Sequence, residues 1–145
     1  MARRLYTIGY EGSTQAEFIA TLAAAGVERL IDVRAIAASR RPGFSKTILA
    51  TSLAEHGIDY VHLRALGTPA AGREAARAGR TDDLRRIYAA QLELPEALVA
   101  AEQLKALAAE APSALLCYER APEACHRSLL QAAVLPGWER VDLFA

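Results

Sequence analysis

The stretch Ala114-Leu115-Leu116-Cys117, continued by Tyr118-Glu119-Arg120 and then by Cys125-His126-Arg127-Ser128-Leu129-Leu130, decides the reading of the fold. Four consecutive apolar residues with no polar alternation suit a strand covered on both faces, as in a parallel sheet between two layers of helices. A helix from about Cys125 to Val134 is expected directly after it.

Outward from that strand the chain alternates short apolar runs with stripes of helical period, the pattern of βαβ units. Leu5 to Ile8 is a short apolar run closed by Gly9. Thr14 and Glu17 form a capping box, and Phe18, Ile19, Leu22 and Ala25 share one helical face up to Gly26. Leu30 to Val33 reads as the second strand. Ser45 caps a helix with Ile48, Leu49 and Leu53, and Ile58 to Leu63 gives the third strand. Leu84, Ile87, Tyr88 and Leu92 mark a further helix, and Pro95 opens another with Leu98, Ala101, Leu104 and Leu107 expected inward. After Pro136-Gly137 the alternation of Val141 and Leu143 predicts a last strand. Arg64 to Arg80, punctuated by Gly67, Pro69, Gly72 and Gly79, reads as a long loop with one or two helical turns, which would leave Arg77 outside any site. The expectation is a single α/β domain over residues 1–145, a mostly parallel sheet of about five strands with helices on both faces in a Rossmann-like layered fold.

The chain's 145 residues match one core, and 52% apolar against 23% charged residues excludes a disordered chain. Seventeen basic and seventeen acidic residues cancel, so no global field supports non-specific binding to nucleic acid or membrane. Locally, though, the charges between Arg34 and Lys46 are all cationic. No apolar run reaches the ~18 residues of a membrane span, and Met1 to Tyr10 lacks a secretory apolar region, so a cytoplasmic protein with no membrane partner is expected. Cys117 and Cys125 are too few for a disulfide scaffold and are expected as thiols.

In such a sheet ligands bind beyond the carboxyl ends of the strands, where loops meet helix N-termini. Four loops converge there, and their motifs are recognisable. Thr7-Ile8-Gly9-Tyr10-Glu11-Gly12, Asp32-Val33-Arg34, Ser39-Arg40 with Pro42-Gly43-Phe44-Ser45, Gly57-Ile58-Asp59-Tyr60, Leu66-Gly67, and Cys117-Tyr118-Glu119 leading to Cys125-His126-Arg127 resemble, in order, the bacterial and archaeal family called domain of unknown function 488. The resemblance runs from about Thr7 to Leu135. Its Gly-Tyr-Glu-Gly motif is similar to one branch; many relatives carry histidine at the position of Tyr10, and a proline where this chain has Ile36. The resemblance implies an α/β fold and a site at these motifs, and no particular reaction.

Each candidate carries a chemical and a structural reading. Cys125, His126 and Arg127 fall on the first turn of a helix, where the dipole, the imidazole and the guanidiniums of Arg120 and Arg127 favour a thiolate or a bound anion. Alternatively Cys125 is a buried small residue, and His126 and Arg127 are surface positions or pair with Glu119 and Glu123. Neither cysteine has an arginine six positions on, so the loop of cysteine-dependent phosphatases is absent. Cys117, Glu119, Cys125 and His126 lack the paired spacing of zinc ligands, and no metal is expected. Asp32 and Arg34 share a strand face, as a ligand-binding pair or a structural ion pair. The loop with Ser39, Arg40 and Phe44 suits holding a phosphate and stacking a base, or else forms a Pro-Gly turn with Phe44 packed on Leu49.

Two function classes follow. In the favoured one the protein is an enzyme on an anionic, phosphate-bearing substrate such as a nucleotide or nucleic acid. Glu119, Cys125 or Asp32 supply acid–base or nucleophilic chemistry, and Gly9, Tyr10, Arg34, Ser39, Arg40, Phe44, His126 and Arg127 bind. The alternative is a non-catalytic nucleotide- or nucleic-acid-binding module using the same pocket; a metal-binding protein is the second alternative. The residues name no cofactor and no oligomeric state.

Overall fold

A computed structural model describes residues 3–120 and 126–145. Five strands, β1 (Arg4–Gly9), β2 (Arg29–Asp32), β3 (Asp59–His62), β4 (Ser113–Cys117) and β5 (Glu139–Phe144), pair in parallel in the order β3-β2-β4-β1-β5. The helices are α1 (Gln15–Ala24), α2 (Lys46–Glu55), α3 (Ala70–Arg77), α4 (Thr81–Leu92), α5 (Pro95–Glu110) and α6 (Arg127–Val134). The expected single-layer parallel sheet between helices is what forms. No helix among the described residues is long and apolar enough to cross a membrane.

Strand β4 lies at the centre and every one of its residues is buried, which explains its unbroken apolar run. Alternate residues then divide the core. Ile8, Leu30, Ala114 and Leu116 face Phe18 and Leu22 of α1 and Leu49 and Leu53 of α2. Leu5, Ile31 and Leu115 face Tyr88 of α4, Leu104 of α5 and Leu130 of α6 on the other side.

Local chemistry sets the element ends. The capping box is made: Glu17 N donates to Thr14 Oγ1 at 3.1 Å and Thr14 N to Glu17 Oε1 at 2.9 Å. Pro95 occupies the first turn of α5. Ser45 stands at the cap position of α2, but its hydroxyl accepts from Ser39 N at 3.1 Å rather than from the helix, closing its own loop.

Two further expectations are corrected. The inward face of α5 is Ala97, Ala100, Leu104 and Ala108, and Leu98 is exposed, because the helix is rotated so that its alanine-rich stripe, one residue before the expected one, is covered. The segment from Arg64 to Arg80 is a 3-10 turn at Arg64–Leu66 followed by the two-turn helix α3. The proline and glycine that punctuate it are the helix's own ends: Pro69 is the N-cap and Gly79 (φ +74°) turns the chain out.

Gly9 ends β1 where the chain leaving β4 passes over it, and a Cβ on Gly9 would overlap the carbonyl oxygen of Glu119. That contact is with backbone, which cannot swing aside. Gly9→Ala is therefore expected to destabilise the fold by at least about 3 kcal/mol, the upper end for overpacking. Gly12→Ala, at a positive φ but in open space, should cost about 1 kcal/mol. Urea unfolding of the two variants checks the order, and an equal or reversed ranking refutes the close approach.

Candidate functional site

The connections place a cleft at the carboxyl edge. Adjacent strands β1 and β4 put Gly9 opposite Cys117, yet the chain leaves β1 for α1 on one face and reaches α6 from β4 on the other. Such a reversal opens a crevice beyond the strand ends. A cleft of about 560 Å³ lies there, walled by Tyr10 and Glu11 after β1, Arg34, Ala35, Ile36 and Ala38 after β2, and Cys117, Tyr118 and Glu119 at the end of β4. Helix α3 closes the far side with Arg73 and Arg77, and His126 forms part of the floor.

One wall is held by a buried ion pair. Arg34 Nη2 donates to Asp32 Oδ2 at 2.7 Å and Nε to Oδ1 at 2.9 Å; Asp32 is fully buried and Arg34 is 5% exposed. Arg34 Nη1 donates to the Phe44 carbonyl at 2.8 Å and to Tyr10 Oη at 3.3 Å. Tyr60 Oη donates to Asp32, and His62 Nε2 donates to the Arg34 carbonyl at 2.7 Å. Burial pulls the Arg34 pKa down, but the hydrogen bonds and charge of Asp32 outweigh it and the net shift is upward. Burial, reinforced by the Asp32 charge, raises the Tyr60 hydroxyl.

The end of β4 supplies the reactive groups. Cys117, 2% exposed, donates its thiol proton to Glu119 Oε2 at 3.4 Å. Glu119 is half-buried, and its carbonyl accepts from Arg127 Nη2 at 2.6 Å. Arg127 also donates to the Arg120 carbonyl at 3.3 Å, so this fully buried guanidinium supports the loop from beneath. His126 is the N-cap residue of α6, and its Nε2 donates to the Val33 carbonyl at 2.7 Å, which leaves Nδ1 as the acceptor.

Of the residues expected at a site, Tyr10, Arg34, Glu119 and His126 line the cleft together. Gly9 lies beneath the Glu119 carbonyl, and Asp32 is enclosed by its partners. Phe44 is buried, stacked on Tyr10 at 4.5 Å and set edge-on to Phe18 at 5.3 Å. Ser39 bonds within its loop, Arg40 is exposed, and neither lines the cleft. Cys125 lies outside the described residues. Among the described residues no group of three or more His, Cys, Asp or Glu side chains could hold a metal ion.

Cys117 and Tyr118, from the loop after β4 that the sequence puts at this edge, also line the cleft, whereas Arg73 and Arg77 are cleft residues that sequence reasoning did not place there. The missed signal was the Arg73–Arg77 spacing, which puts both on one face once the segment is helical. Arg77, expected to stand apart, is corrected to the cleft wall because α3 folds across the strand ends.

The model of the family described as Domain of unknown function DUF488 matches residues 14–134. Comparison with curated proteins and with solved structures gives no match.

Two outcomes follow from the buried charges. Asp32→Asn leaves Arg34 buried without its counter-charge and should destabilise the protein by about 3–5 kcal/mol in urea unfolding; a loss below about 1 kcal/mol would mean the pair does not anchor the wall. Burial, aided by Arg127 and opposed by the Val33 hydrogen bond and Asp32, pushes His126 down to about 4 from an ordinary 6.5. The unfolded chain then binds a proton that the folded ring refuses, so His126's contribution is intact above 6.5 and is lost as pH falls toward 4. The slope should be about 1.4 kcal/mol per pH unit in that window, and His126→Gln should flatten it.

Proposed function

The chain belongs to the DUF488 family, and on that footing we propose, from the chemistry of its cleft, an enzyme acting on a phosphate-bearing substrate. One observation carries this reading: the hydrogen-bonded pair of Cys117 and Glu119 shares a cleft with Arg73 and Arg77, which stand one helical turn apart on α3. Two guanidiniums suit the oxygens of a phosphate. A carboxylate with a thiol beside it exceeds what holding a phosphate requires and supplies proton transfer.

In this reading Glu119 is the general acid or base, oriented by the Cys117 thiol and by the loop that Arg127 supports. Arg73 and Arg77 hold the anion. Arg34 and Asp32 are positioning residues that set Tyr10 and the loop after β2. Cys125 stays the nucleophile candidate on sequence grounds, from its place beside His126. A non-catalytic binding module would use the same cleft, and it differs in having no turnover to lose.

Phosphate binding by calorimetry, together with turnover across phosphomonoesters, nucleotides and oligonucleotides, separates the two. Glu119→Gln is expected to lower kcat by about 100-fold or more while phosphate affinity holds. Arg77→Ala should weaken phosphate binding by ~10-fold or more, as for a lost charged hydrogen bond. Binding without turnover of any panel member would favour the module. Phosphate binding that ignores both Arg73→Ala and Arg77→Ala would sink both readings.

A further inference from the structure

We infer that the ligand of the cleft is a mononucleotide, its base lying on Tyr118 and its phosphate held by Arg73 and Arg77. The inference rests on the reading of the cleft as a phosphate site and adds a second end to it.

Tyr118 directly follows β4 and lines the cleft, yet the residue is 47% exposed. A large ring left half in water on a cleft wall is a surface for another flat apolar group. It is also held in place. Tyr10 meets it at 5.4 Å and 81°, and Tyr10 is itself fixed by the Phe44 stack and by the Arg34 guanidinium 5.3 Å from its ring centre. Glu11 N donates to the Tyr118 carbonyl at 2.8 Å, tying its backbone to the exit of β1. A ring braced in this way loses little freedom when a base stacks on it.

Arg73 and Arg77 supply the other end. Arg73 is half-buried with Nη1 donating to the Thr68 carbonyl at 2.9 Å; Arg77 is exposed, and neither forms an ion pair with a described residue. The walls thus offer an aromatic surface and a paired cation, the two features a nucleoside phosphate presents in complement. The cleft volume falls within the ~300–1,000 Å³ of small-molecule sites. A polynucleotide would need a longer cationic track, whereas Glu11 and Glu119 stand on the same wall as Tyr118.

Calorimetry with four probes tests this: AMP, ribose 5-phosphate, inorganic phosphate and a short single-stranded DNA. AMP is expected to bind about tenfold more tightly than ribose 5-phosphate, the scale of one base stacked on an aromatic ring. Tyr118→Ala should erase that advantage while leaving ribose 5-phosphate affinity within about twofold, and Tyr118→Phe should keep it. Arg77→Ala should weaken AMP, ribose 5-phosphate and phosphate alike. Circular dichroism confirms folding of each variant. Equal affinities for AMP and ribose 5-phosphate, or AMP binding untouched by Tyr118→Ala, would overturn the inference and leave the phosphate site standing. DNA binding far more tightly than AMP would overturn it in favour of a polymer. Failure of phosphate and of every other probe to bind would instead overturn the phosphate reading beneath it.

Discussion

The guanidinium of Arg34 is a junction for the carboxyl edge of the sheet. Its partners come from four separate stretches: Asp32 on β2, Tyr10 after β1, the Phe44 carbonyl before α2 and, through its own carbonyl, His62 on β3. Removing such a charge from water is tolerated only where a counter-charge and hydrogen bonds replace the solvent. Asp32 supplies the charge, and Tyr60 completes the carboxylate's shell. The pair therefore fixes the relative positions of three strand exits, and the cleft inherits its shape from that arrangement.

A second constraint acts beside it, between the exits of β1 and β4, and works by steric fit. Gly9 lets the Glu119 carbonyl pass close over β1, while Arg127 Nη2 donates to that same oxygen from below. The Glu11 carboxylate accepts from Arg120 N at 3.1 Å, and Glu11 N donates to Tyr118. The loop after β4 is thus stitched to the exit of β1 along consecutive residues. The Arg127 guanidinium, which sequence reading assigns to ligand binding, holds backbone here, while Glu119, its carboxylate bonded to the Cys117 thiol, lines the cleft.

The legibility of the chain follows the range of the interactions. Strands, layers and two of the helix starts were readable because they depend on neighbours a few residues away: the Ala114 to Cys117 run, the Thr14–Glu17 box and Pro95 each act locally, whereas the Ser45 hydroxyl is taken by Ser39 N and does not cap α2. The grouping of Tyr10, Arg34, Glu119 and His126 was also readable, because parallel strands bring all their exits to one edge. What could not be read was which face of a side chain the fold would use. Asp32 and Arg34 share a strand face whether they bind a ligand or each other, and only Tyr60, Phe44 and Tyr10, distant in sequence, decide between them. Arg73 and Arg77 were hidden because the proline and glycine that end a short helix carry the same local signal as a loop.

The two walls differ in how freely they could respond to a ligand. The Arg34 wall is buried and its polar atoms are engaged, so it offers shape and little adaptability. The opposite wall is one two-turn helix, bounded by Pro69 and Gly79, whose Arg77 is exposed and whose Arg73 is anchored at a single nitrogen. Long arginine side chains on a short element can adjust to an anion at little cost to the core, whereas moving Tyr10 or Arg34 would break a buried ion pair. For the proposed nucleotide, recognition of the base would therefore fall to the rigid wall that braces Tyr118, and capture of the phosphate to the adaptable one. The cations of α3 thus reach the cleft from long side chains on a short helix, whereas Arg34 is held by its buried partners.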